Sequence, residues 1–117
     1  MYYQNIFSQT PEELQEQVMS VELLIVRRGQ KMTEAANQME AITRQIEYMQ
    51  TRYKRAHHPQ MKPFRTAISL KMSTLQGMFC MYSFYVDSCM IRMSDLYKTL
   101  QMLQMEQDYF ISDCESD

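Results

Sequence analysis

The side chains best suited to chemistry are three cysteines, two adjacent histidines and a set of paired methionines. Cys80, Cys89 and Cys114 are an odd number without framework spacing, so they read as reduced thiols and not as a disulfide scaffold. His57 and His58 are neighbours, well separated in sequence from all three cysteines. A metal centre needs three or four convergent ligands, and this spacing offers no such set, so no metal is expected. Met78 with Met81, Met90 with Met93 and Met102 with Met105 form Met-x-x-Met pairs. Thioethers bind Cu(I), but a chain with 13 Met and no Trp uses Met mainly as a flexible filler of apolar seams. Gly29 and Gly77 stand alone, so no glycine-rich phosphate loop is present. The carboxylates are scattered. The expectation is therefore a non-enzymatic protein with no catalytic residues and no cofactor.

These residues must be carried by helices. The 117 residues include only 2 Gly and 3 Pro, too few for a protein built on many tight turns. Thr10-Pro11-Glu12-Glu13 reads as a helix start: a hydroxyl at the cap, Pro at the first helical position and Glu three residues after the cap. Apolar residues then step by fours and threes through Leu14, Val18, Val21, Ile25, Met32, Ala35, Met39, Ile42, Ile46, Met49, Tyr53 and Ala56. Arg28 interrupts the series beside Gly29, the weakest turn for a helix. It is expected either to pair with a carboxylate such as Asp95 or to snorkel its charge to the edge. His57-His58-Pro59 ends the helix, because the residue before Pro is pushed out of the α region. A second series follows: Ile68, Met72, Leu75, Phe79, Tyr82, Val86, Cys89, Met93, Leu96, Leu100 and Leu103.

A repeat of 3.5 residues held this long predicts helices wrapped in a left-handed supercoil. Two seams of similar length joined by a short linker favour antiparallel neighbours. The expected fold is all-α, an antiparallel two-helix coiled-coil hairpin that dimerises into a four-helix bundle. The predicted elements are a flexible segment over 1–9, a helix over 10–57, a turn over 58–65, a helix over 66–110 and an acidic tail over 111–117. One register places Tyr53 opposite Ile68, Ile42 opposite Phe79, Ala35 opposite Val86, Ile25 opposite Leu96 and Val18 opposite Leu103. A slip by one heptad is a competing register. A rod merely kinked at Pro59, with helices pairing between chains, is a competing fold.

The seam does not use all the apolar side chains. Phe84 and Ile91 fall opposite it, flanked by Met81 and Tyr85, and Leu23, Leu24 and Val26 do the same on the first helix. Unburied apolar patches mark interaction sites. Leu23, Met81, Phe84, Tyr85 and Ile91 are thus the expected self-association or partner-helix residues, with homodimerisation the first reading and a helical heteropartner the second.

Charge is distributed unevenly. The net charge is −2, yet no acid lies between Glu47 and Asp87, where Arg52, Lys54, Arg55, Lys62, Arg65 and Lys71 are found. A hairpin would gather these six at a basic tip, the expected partner-binding site. Its partner would be an acidic protein surface, such as a cytoskeletal filament, or an acidic lipid surface. The tail residues Ser112 and Ser116 lie among acids, a weak phosphorylation pattern beside the plainer reading of a solubilising end.

With no long apolar run and no basic-then-apolar start, no transmembrane segment and an intracellular, cytoplasmic location ahead of a nuclear one are expected. The functional expectation is a structural or adaptor protein, homodimeric and protein-binding. The alternative is a nucleic-acid-binding helical bundle that contacts phosphates through the basic tip.

Overall fold

A computed structural model describes residues 9–116, and the side chains of 112–116 lie outside what is described. Almost all of it is helical. Helix α1 runs Pro11–Arg55 over 45 residues, a 3-10 turn spans Pro59–Met61, and helix α2 runs Lys62–Ser116 over 55 residues. No strand occurs among the described residues.

The start of α1 has a physical cause. Glu13 N–H donates to Thr10 Oγ1 at 3.1 Å, and Thr10 N–H donates back to Glu13 Oε2 at 3.4 Å. Each side chain satisfies a backbone donor that the first turn leaves orphaned. The other boundaries differ from the predicted ones. Helix α1 stops at Arg55, two residues short, and α2 begins at Lys62, four residues before the expected start at 66. Pro63 does not delay it: in the first turn a helix has no partner for that N–H, so its loss costs nothing. At the far end the backbone stays helical through Ser116, where a tail from 111 was expected. No Gly or Pro follows Gly77 to stop it. The flexible segment expected over 1–9 falls, except for Gln9, outside the described residues, as do the side chains of Ser112, Cys114 and Ser116.

The chain divides into two compact units. One contains Lys31–Cys89, the other the described residues up to Gln30 and from Met90 onward. Within Lys31–Cys89 the two helical segments run antiparallel across the turn, with Ala35, Ile42, Ala56, Ile68, Leu75 and Cys89 buried. Thr43, Ile46, Glu47 and Gln50 line one cleft with Gln76, Phe79 and Cys80. In the other unit Leu14, Val18, Ile25 and Leu96 are buried, and Gln107 Nε2 donates to Gln15 Oε1 at 2.8 Å. That bond agrees with the expected register, which puts Gln15 opposite Glu106 beside Gln107. A heptad slip would move it out of reach.

The seam series agrees with observed burial with one exception. Tyr53 is 41% exposed, and the neighbouring Arg52 is half-buried in its stead, its guanidinium lying 5.0 Å from the Phe64 ring centre. Arg28 is half-buried, and among the described residues no ion pair joins it to Asp95.

Candidate interaction surfaces

The basic residues gather around a turn whose geometry follows from helix-end chemistry. The last carbonyls of a helix have no intrahelical partner. Here Ala56 N–H is shared between the Arg52 and Tyr53 carbonyls at 3.1 and 3.2 Å. His57 Nδ1 lies 3.2 Å from the Lys54 carbonyl. Arg65 reaches back across the turn, and its Nη1 donates to the Ala56 carbonyl at 2.6 Å and to the His58 carbonyl at 2.9 Å. The 3-10 turn is closed by Met61 N–H on the His58 carbonyl at 2.9 Å. It is capped by His58 Nδ1, which accepts from Gln60 N–H at 3.2 Å. A kinked continuous rod is thereby replaced by a true reversal.

The six predicted tip residues separate into two sets. Arg65 is committed to backbone carbonyls. Arg52 lies between two rings, 5.7 Å from the Tyr48 centre and 5.0 Å from that of Phe64, a cation–π arrangement. Lys54, Arg55 and Lys62 are exposed near the turn, and Lys71 is exposed farther along α2. Met61 and Phe64, at 38% and 39% exposure, sit in sequence among these cations. Charge counting did not single them out as site residues, although Met61-Lys62-Pro63-Phe64 interleaves the two chemistries in plain view.

The apolar residues predicted to lie outside the seam do so. On α2, Met81 and Phe84 are 73% and 74% exposed and Ile91 is 67% exposed. Met78, Met81, Tyr82 and Tyr85 wall a shallow groove of about 460 Å³. On α1, Leu23, Leu24 and Val26 are exposed, as is Met19. Met102, Met105 and Tyr109 are exposed near the end of α2; in the sequence Met102 and Met105 stood out only as a Met-x-x-Met pair, although their i, i+3 and i+7 spacing with Tyr109 was the available signal for a surface stripe.

Cys89 is buried and Cys80 exposed, both free. Among the described residues no group of three or more His, Cys, Asp or Glu converges on a common point, and no helix is long and apolar enough to cross a membrane. Comparison with family models, curated proteins and solved structures gives no significant match.

Proposed function

We propose that this chain is a non-enzymatic structural or adaptor protein. It self-associates by packing the outer apolar face of α2 against a second copy, giving an assembly of four helices, and engages an acidic surface through its basic turn. The observation that carries this reading is the exposure of Met81, Phe84 and Ile91 in a helix whose opposite side is already filled.

The magnitudes are compatible with it. Fully covering a large apolar side chain gains about 1.5–3 kcal/mol, and a two-fold interface uses each residue twice. With Met81, Phe84 and Ile91 about two-thirds to three-quarters exposed and Tyr85 39% exposed, two copies offer about 8–15 kcal/mol. That compares with roughly 4–15 kcal/mol lost in association. Met and Tyr suit such a face because they adapt to irregular contacts.

The test is a double substitution. Phe84→Glu with Ile91→Glu should leave the helical circular dichroism spectrum intact while halving the mass measured by light scattering. A variant that keeps the wild-type mass would place the assembly face elsewhere. The alternative, a nucleic-acid-binding bundle, draws on the same turn, where Arg52 lies against one face each of Tyr48 and Phe64 and competes there with base stacking.

A further inference from the structure

We infer that the basic turn is a contact for an anionic lipid surface; this rests on, and narrows, the reading of that turn as a binding site. Two kinds of side chain are exposed there together. Lys54, Arg55 and Lys62 are free cations, and no acid between Glu47 and Asp87 neutralises them. Met61 and Phe64 are apolar and more than a third exposed, one on either side of the Lys62-Pro63 step. A partner that satisfies both must offer negative charge at its surface and apolar material just beneath. The headgroup layer of an anionic bilayer has that profile: phosphates and carboxylates outside, acyl chains below.

The other acidic surfaces match only half of it. A duplex would take the three cations on its phosphates but leave Met61 and Phe64 in water or against sugar. Single strands bind by stacking bases on aromatic faces, which would use Phe64 in competition with Arg52 and leave Met61 without a partner. An acidic polypeptide patch supplies charge with apolar groups scattered among it, not as a continuous layer beneath. Arg65 stays out of the contact, because its Nη1 is held by the Ala56 and His58 carbonyls.

Contact of this kind is peripheral, since no helix among the described residues could span the bilayer. Each exposed cation near an anionic leaflet contributes about fivefold in affinity, so three contribute about a hundredfold. The attraction fades within about 8 Å at physiological ionic strength, so it should weaken steeply as salt rises. Two turns on one assembly would bind the same vesicle with raised effective concentration.

The experiment measures retention of the full chain on three probes at equal negative charge: vesicles with about a third phosphatidylserine, a duplex DNA and polyglutamate. Vesicles of phosphatidylcholine alone are the control. Wild type should bind the phosphatidylserine vesicles, not the neutral ones, and neither polymer should displace it. The triple variant Lys54→Glu, Arg55→Glu, Lys62→Glu should lose binding by about a hundredfold or more. Met61→Ser, which alters no charge, should weaken vesicle binding by several-fold while leaving any polymer binding unchanged. Circular dichroism of each variant confirms that its helices are intact. Retention on DNA or polyglutamate without retention on vesicles would overturn the lipid assignment while leaving the turn a binding site. Retention on none of the probes would overturn both. Vesicle binding insensitive to Met61→Ser would reduce the turn to a charge contact and contradict the layered match.

Discussion

Arg65 illustrates how one side chain can be counted as surface charge and turn out to hold a helix end. Its two bonds, at 2.6 and 2.9 Å, satisfy carbonyls that α1 leaves behind. Hydrogen bonds from a charged donor contribute about 1.5–3 kcal/mol, so Arg65→Ala should destabilise the fold by about 2–3 kcal/mol in urea denaturation. Lys54→Ala, at an exposed position, should change stability by no more than ~0.5 kcal/mol. Equal effects of the two would mean that Arg65 is only another surface charge. Charge spacing alone located the basic cluster, because the absence of acid over that stretch is a property of composition. It could not say which guanidinium would be drawn to backbone oxygens, since that depends on where α1 stops. Tyr53 and Arg52 make the same point. The heptad placed Tyr53 in the seam, but the period holds only while two helices face each other, and beside the turn the Phe64 ring takes the Arg52 guanidinium instead.

At the scale of elements, the seams were the most legible feature, because burial along a helix pair repeats with the residue period itself. Leu75 is buried in α2, and placing a carboxylate there without a partner costs several kcal/mol or forces its neutralisation. Leu75→Asp should therefore melt well below wild type in a thermal scan followed by circular dichroism; an unchanged midpoint would mean the seam is misplaced. The element ends were less legible. The predicted turn ran past Pro63 to 65, yet the N–H that Pro63 lacks is not needed in a helix's first turn. The glycines offer a test in the opposite direction. Neither Gly29 nor Gly77 has a positive φ. A Cβ at Gly29 would meet only the Met93 Cε, at 3.9 Å, and one at Gly77 would meet nothing within 4 Å. With space and backbone both permissive, Gly29→Ala and Gly77→Ala should each stabilise by about 0.5–1 kcal/mol. A loss of stability at Gly77 would indicate that another surface lies against it in the assembled protein.

At the scale of the whole molecule, the account depends on whether the outer face of α2 is covered. A narrow two-helix seam leaves Met81, Phe84 and Ile91 in water, and a second copy is the covering partner that is always present at the same concentration. The direct test is sedimentation equilibrium of the wild-type chain across the micromolar range. The account predicts twice the chain mass, falling to the single-chain mass for Phe84→Glu with Ile91→Glu while helicity is retained. A wild-type protein that sediments as a single chain over that whole range would contradict self-association and leave the α2 face to a different partner.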